Sequence, residues 1–165
     1  MNRRNFLLGS AGALAVAAGG AAIWWPDGTS PVRADGFEIT RSEAQWRSML
    51  SQAQYRVLRE AGTERPYTSP LLGEEREGEY DCAGCDLALY SSETKYDSET
   101  GWPSFHEALP DAVGTRPDGV FGTQTEVHCR RCGGHLGHVF DDGPAPTGKR
   151  HCINGVALTF RPAPA

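Results

Sequence analysis

Five cysteines are the residues of this 165-residue chain whose type and spacing most clearly indicate chemistry. Four of them form two Cys-x-x-Cys pairs, which are separated by 43 residues. Two thiolates at this spacing can face one ion from a tight turn, and four complete a tetrahedral zinc shell with no vacant position. We therefore expect one structural zinc ion, bound by Cys82, Cys85, Cys129 and Cys132. Two disulfides or a thioredoxin-like redox pair are the alternatives, although no βαβ pattern surrounds either pair.

Cys152 is left over once the four zinc ligands are assigned. It follows Arg150 and His151, and two further histidines, His135 and His138, come just after the second cysteine pair. Cations near a thiol increase the fraction present as thiolate, which is the nucleophilic form. A lone thiol in a protein core is, by contrast, usually inert. These residues alone leave both interpretations of Cys152 open.

The elements that must position these residues are short. Thr40-x-x-Glu43 and Ser51-x-x-Gln54 have the form of capping boxes and predict two small N-terminal helices. Beyond Thr63, brief apolar runs interrupted by Gly, Pro, Asp and Ser predict strands over 79–82, 87–90, 120–121, 125–129, 138–140 and 156–160. The sequence therefore predicts a mainly β fold, with antiparallel sheets arranged as a small barrel or sandwich.

Composition excludes two classes of protein. Hydrophobic residues make up 39% of the chain, which argues against wholesale disorder. The net charge is −5, and the basic residues do not cluster apart from a pair at the N-terminus, so we expect no binding to nucleic acid.

Residues 1–34 are typical of an export signal. Arg3-Arg4 precedes Phe6-Leu7 and an apolar, Gly- and Ala-rich run, and Val32-Arg33-Ala34 has the form of a cleavage site. The twin arginines resemble the bacterial twin-arginine (Tat) signal. We expect export to the periplasm and a mature domain over 35–165. The alternative is an uncleaved membrane anchor, because the apolar run is about long enough to span a bilayer.

Several motifs together resemble the B-type methionine sulfoxide reductases, which reduce the R epimer of methionine sulfoxide. The resemblance extends over about residues 40–160, and both cysteine pairs agree with it. The motifs are Gly62-Thr-Glu-Arg-Pro-Tyr-Thr68, Lys95-Tyr-Asp-Ser98, Gly101-Trp-Pro-Ser-Phe105, Cys132-Gly-Gly-His135-Leu-Gly-His138-Val-Phe-Asp-Asp142 and Arg150-His-Cys-Ile-Asn154.

The resemblance implies a fold of two antiparallel sheets that form a small open barrel, with helices at the N-terminus. It also implies that Cys152 attacks the sulfoxide sulfur and becomes a sulfenic acid, while His138 supplies a proton and His135 assists. Trp102 is expected to contact the substrate methyl group. Asn154 and Arg150 are expected to orient the thiolate and the oxygen, and Asp142 is expected to hold Arg150 or a histidine by a charged hydrogen bond.

Position 100 departs from the family pattern. Many members carry a second, resolving cysteine immediately before Gly101, where this chain has Thr100. No spare cysteine remains, so we expect an external thiol, thioredoxin-like or other, to reduce the sulfenic acid. The expected partners are this reductant and oxidised methionine in proteins or peptides. We expect the protein to be a monomer and to repair oxidised proteins. A zinc-ribbon binding module and a zinc hydrolase are competing functions, but a closed four-cysteine shell leaves no open metal position for a hydrolase.

Overall fold

The computed structural model describes residues 36–164, so the export signal expected over 1–34 lies outside the described residues. The helices and strands are α1 (Glu43–Met49), α2 (Gln52–Glu60), β1 (Gly78–Cys82), β2 (Ala88–Ser91), β3 (Lys95–Tyr96), β4 (Ser104–Phe105), β5 (Val113–Asp118), β6 (Gln124–Cys129), β7 (His135–Phe140), β8 (Arg150–Ile153) and β9 (Leu158–Pro162). Within this part of the chain, no helix is long and apolar enough to cross a bilayer.

Both N-terminal helices begin with a capping box. The box predicted at Ser51 and Gln54 is confirmed, whereas α1 begins two residues later than predicted, with Ser42 rather than Thr40 as its N-cap. Gln45 explains the difference, because its side chain accepts from the Ser42 N–H while the Ser42 hydroxyl accepts from the Gln45 N–H. This reciprocal pair satisfies two backbone donors that a helix start leaves free.

The strands form two antiparallel sheets, which confirms the predicted fold class. One sheet has the order β2-β1-β9, and the other has the order β3-β4-β8-β7-β6-β5. Neither sheet closes on itself among the residues that the structure describes.

An aromatic cluster holds the two sheets together. The Phe105 ring, on the six-stranded sheet, stacks on Tyr90 at 4.3 Å between centroids and meets Tyr80 edge-on at 4.9 Å. Tyr80 and Tyr90 belong to the three-stranded sheet, and all three side chains are fully buried. Their burial removes a large apolar area from water and fixes how one sheet lies on the other.

The strand predicted over Val120 and Phe121 is wrong. These residues lie in a turn between β5 and β6, and the Phe121 side chain is 98% exposed. Gly119 and Gly122 flank them with positive φ angles, a conformation that glycine adopts without steric cost. The apolar residue types suggested a strand, but the glycines on either side make the chain reverse.

Candidate active site and metal centre

Cys152 lies on β8, in the middle of the six-stranded sheet. It pairs directly with Ser104 on β4 and with His138 on β7, and His138 in turn pairs with Glu126 on β6. Directly opposed residues of antiparallel strands project from the same face of a sheet. The register therefore brings Cys152 and His138 together, although 13 residues separate them in the chain.

A cavity of about 250 Å³ opens on this face. Its lining residues are Thr63, Trp102, Gln124, Gly137, His138, Phe140, Cys152 and Asn154. Four of the site residues expected from the sequence thus share one cavity. A larger cavity, of about 460 Å³, also borders Trp102 but contains no cysteine or histidine.

His138 is oriented by a carboxylate that sequence reasoning missed. Its Nε2 lies 2.8 Å from an oxygen of Asp118 at the end of β5. A carboxylate only accepts hydrogen bonds, so Nε2 carries the proton in this contact. The other ring nitrogen, Nδ1, takes no part in the contact with Asp118. The hydrogen bond from His138 lowers the pKa of Asp118, which keeps this orienting group ionised.

His135 is buried beside His138, with 5.4 Å between the ring centroids. Its Nδ1 lies 2.9 Å from a carboxylate oxygen of Glu126, which also accepts hydrogen bonds from the guanidinium of Arg116. Burial lowers the pKa of His135, so the ring is neutral at neutral pH. Its Nε2 has no hydrogen-bond partner among the described residues.

Glu126 is the buried anchor of this histidine. Burial by itself raises the pKa of a carboxyl group, but the hydrogen bonds from Arg116 and His135 outweigh it and leave the pKa of Glu126 below its usual value. Neither Arg116 nor Glu126 belongs to the site expected from the sequence.

Arg150 and Asp142 form a two-pronged ion pair next to the cavity. Nitrogens of Arg150 lie 2.8 and 2.7 Å from the two carboxylate oxygens of Asp142. The guanidinium also covers the ring of Phe140 at 4.4 Å, and Phe140 is part of the cavity wall. Of the two partners expected for Asp142, Arg150 or a histidine, the structure pairs it with Arg150.

Both ends of the Asn154 amide bind backbone groups. Its Nδ2 donates to the carbonyl of Leu136 and its Oδ1 accepts from the N–H of Glu64, each at 2.9 Å. The side chain is 3% exposed. Asn154 therefore joins the segment around Glu64 to the start of β7.

Glu64 is a further residue that sequence reasoning missed. Its carboxylate accepts from the N–H groups of Gly155 and Val156, and its carbonyl accepts from the Trp102 indole N–H at 3.2 Å. Burial raises the pKa of Glu64, against the effect of the two backbone donors. This residue fixes the indole ring that lines the cavity, and its only sequence signal is its place in the motif at residues 62–68.

His151 points away from Cys152. Alternation along β8 places it on the opposite face, where its Nδ1 lies 3.1 Å from the hydroxyl of Tyr90. Burial, with a smaller contribution from Lys149, lowers the pKa of His151 to about 4. The expectation that His151 is a cation next to the thiol is therefore not met, because the ring is neutral and faces the core.

The four remaining cysteines form one cluster. Their sulfurs all lie within 4.8 Å of one another, with 3.7 Å between Cys82 and Cys132 and 3.5 Å between Cys85 and Cys129. Sulfurs at tetrahedral corners around an ion with 2.3 Å bonds are about 3.8 Å apart. The cluster thus has the dimensions of a four-cysteine metal site and could hold a metal ion.

The cluster connects the two sheets. Cys82 ends β1 of the three-stranded sheet, and Cys129 ends β6 of the six-stranded sheet. Gly133, with a φ of +66°, shapes the second turn, and a Cβ there would lie 2.3 Å from the ring of Phe37. A side chain at this position would therefore displace the N-terminal segment that covers the turn.

These features define a class: a mainly β domain with a four-cysteine cluster and a separate cysteine–histidine site. Residues 50–162 match the SelR domain family. The peptide methionine sulfoxide reductases MsrB of Agrobacterium fabrum and Thiobacillus denitrificans are 50% and 54% identical to this chain over 127 and 124 residues. These matches cover 76% and 74% of this chain, respectively, and 94% of each relative.

A third relative, the MsrB of Methanosarcina barkeri, is 50% identical over 125 residues, which are 74% of this chain and 88% of the relative. The chain belongs to the SelR domain family. The enzyme class expected from the sequence, an oxidoreductase of the peptide methionine sulfoxide reductase type, is confirmed.

Proposed function

We propose that this protein reduces the R epimer of methionine sulfoxide in proteins and peptides. The observation that carries the proposal is the direct pairing of Cys152 with His138 across β7 and β8, at a cavity walled by Trp102. The Cys152 thiolate attacks the sulfoxide sulfur to form a sulfur–sulfur bond, and the oxygen takes up one proton. The oxygen then passes to the Cys152 sulfur as its bond to the substrate sulfur and the new sulfur–sulfur bond break, so methionine leaves and Cys152 becomes a sulfenic acid.

His138 is the proposed proton donor. The ring lines the cavity, is 21% exposed and is held by Asp118 at Nε2, so Nδ1 is the nitrogen that would take a proton from solvent and give it to the departing oxygen. His135, which is neutral and buried behind it, assists by keeping the local hydrogen bonds in place. Arg150 and Asp142 act as a pair that stiffens the wall at Phe140.

Trp102 is proposed to select the epimer. A sulfoxide carries an oxygen, a methyl group and a longer chain on one sulfur. An indole wall for the methyl group, opposite a histidine for the oxygen, admits one hand of this arrangement. Glu64 and Asn154 support this function, because the Glu64 carbonyl accepts from the Trp102 indole N–H and Asn154 binds the Glu64 N–H.

Recycling is proposed to use an external thiol. One thiol attacks the sulfenic sulfur to give a mixed disulfide and water, and a second thiol releases Cys152 and leaves as a disulfide. Thr100 lies 3.7 Å from the Cys152 sulfur, measured to its hydroxyl oxygen, and a hydroxyl cannot take the place of the thiol.

The variant Thr100→Cys tests this step. The short contact places position 100 within reach, so the introduced thiol should close a disulfide with Cys152 after one turnover. Labelling of the sulfenic acid by dimedone should be high in the wild type and at least several-fold lower in the variant. Turnover with thioredoxin should become faster. A mapped disulfide between Cys152 and a metal-cluster cysteine in the oxidised wild type would contradict the proposed division of the cysteines.

The metal is proposed to be one structural zinc ion. Zinc favours four thiolates in a closed tetrahedral shell, and such a site stabilises a fold without binding substrate. Cys82, Cys85, Cys129 and Cys132 would hold it where the two sheets meet.

We also propose export by the twin-arginine route to the periplasm, with cleavage after Ala34. Arg3-Arg4 and the apolar run of the N-terminus support this proposal, with an uncleaved membrane anchor as the alternative. Export after folding would let zinc bind in the reducing cytoplasm before the thiols meet an oxidising compartment. The mature protein is proposed to act as a monomer.

The variant Cys152→Ser tests the function itself. Reduction of a peptide that contains the R sulfoxide should fall to the uncatalysed level, with dithiothreitol as the reductant. Metal content and melting temperature should stay at the wild-type values, because Cys152 is outside the cluster. Activity on the S epimer should be absent in both proteins. Residual turnover in the variant would place the chemistry at another residue.

A further inference from the structure

We propose that the hydroxyl of Thr100 holds the reacting sulfur of Cys152, and that Ser98 sets the direction of this hydrogen bond. The proposal rests on the proposed role of Cys152 as the nucleophile. It adds two residues to the site: Thr100 contacts the reacting sulfur, and Ser98 acts through Thr100.

Three hydroxyl groups form a chain that ends at the sulfur. The Thr100 oxygen lies 3.7 Å from the Cys152 sulfur and 2.8 Å from the Ser98 oxygen. Ser98 lies 2.7 Å from the hydroxyl of Ser104, which donates to the carbonyl of Trp102 at 3.2 Å. Ser104 is fully buried and pairs directly with Cys152 across β4 and β8, so the sheet register holds the chain in place.

The two ends of the chain determine its direction. A carbonyl oxygen can only accept, and each hydroxyl has one proton to donate. When Cys152 is a thiol, every contact is satisfied if Ser104 donates to Trp102, Ser98 to Ser104 and Thr100 to Ser98. The thiol of Cys152 then donates to Thr100, and the proton of Thr100 points away from the sulfur.

The thiolate requires the opposite direction. A thiolate can only accept, so Thr100 must donate to the sulfur, and Ser98 must then donate to Thr100 and Ser104 to Ser98. If Thr100 turned alone, two oxygens 2.8 Å apart would face each other without a proton between them. Formation of the nucleophile is therefore coupled to a reversal of the whole chain, which gives up the bond to the Trp102 carbonyl.

This coupling makes opposite predictions for two small substitutions. Thr100→Val removes the donor to the thiolate and keeps the shape of the side chain. Ser98→Ala removes the group to which the Thr100 proton is committed, so that Thr100 is free to donate to the sulfur. The first variant should disfavour the thiolate and the second should favour it, whereas Thr100→Ser keeps a hydroxyl and should behave like the wild type.

Alkylation of Cys152 by iodoacetamide measures the thiolate without any turnover. The rate is followed from pH 5 to 10 by mass spectrometry of the peptide that contains Cys152, so the cluster cysteines do not contribute. The midpoint of the curve should rise by about one pH unit in Thr100→Val, the scale of one hydrogen bond to a charged group. It should fall by roughly half a unit in Ser98→Ala.

Other groups near Cys152 are unchanged in all of these variants. They are Tyr96 on β3, His138 on β7 with its partner Asp118, Arg150 on β8 with its partner Asp142, and the His135–Glu126 pair. Their contribution to the pH dependence is therefore common to every protein compared, and the differences report on the hydroxyl chain alone.

The proposal is overturned if Thr100→Val keeps the wild-type midpoint, or if both variants move the midpoint in the same direction. Should Thr100→Val fail to fold, by its thermal unfolding curve, the downward shift in Ser98→Ala decides the matter. If the wild type does not reduce methionine sulfoxide but the variants show the expected midpoints, the proposed function is wrong and the hydroxyl chain is still supported.

Discussion

Trp102 is the residue at which binding and packing can be separated most directly. Its indole ring lines the cavity beside Cys152, while its N–H donates to the backbone of Glu64. Loss of the ring should raise KM for a sulfoxide peptide and lower kcat/KM. The ratio of the two kcat/KM values should correspond to a loss of about 1–3 kcal/mol in transition-state binding, the scale of an apolar pocket contact. The measurement is steady-state kinetics of Trp102→Ala together with its melting temperature.

Trp102→Phe is the matched control, because it keeps an aromatic wall and loses the indole N–H. It should recover most of the lost kcat/KM. Unchanged kinetics in Trp102→Ala, combined with a much lower melting temperature, would show that the ring serves only the core.

At the scale of elements, β8 divides its side chains between two environments. Cys152 faces the cavity, and His151 faces the buried ring of Tyr90. The pKa of His151 is lowered to about 4 in the folded chain, against about 6.5 when unfolded. Between these pH values the unfolded state binds more protons, so this contribution to stability is complete above pH 6.5 and is lost as the pH falls towards 4.

The variant His151→Phe checks this sign. The wild type should lose up to about 3 kcal/mol more free energy of unfolding than the variant between pH 7 and pH 4. Urea denaturation at several pH values measures both, and the other buried histidines contribute equally to each. Parallel curves for the two proteins would show that His151 is protonated without cost in the folded state.

At the scale of the whole molecule, the four-cysteine cluster and the aromatic cluster are two separate connections between the sheets. Metal binding at a site that the unfolded chain lacks is itself a source of folding free energy. Cys82→Ser should therefore lower the free energy of unfolding by about 3 kcal/mol or more and the melting temperature by roughly 10 °C, or prevent folding altogether.

Cys152→Ser is the control, since it removes a thiol from the six-stranded sheet without touching the cluster. A strong chelator should destabilise the wild type as Cys82→Ser does. Isolated protein with no bound metal and two mapped disulfides would contradict the metal site.

The sequence alone determined the features that depend on residue type and local spacing. Each Cys-x-x-Cys pair predicts half of the four-cysteine cluster, because neighbouring thiolates in a turn converge whatever the surrounding fold. Ser51 was predicted as a helix start because a capping box is complete within four residues. Cys152 and His138 were identified through motifs, which report residue types but not the distances between them.

Only the tertiary structure decided which groups support these residues. Asp118 reaches His138, and Glu64 reaches Trp102, across 20 and 38 residues of chain. Such contacts follow from strand register, and a shift of one residue would turn every side chain of a strand to the other face. For the same reason His151 lies in the core while Cys152, its neighbour, opens to the cavity.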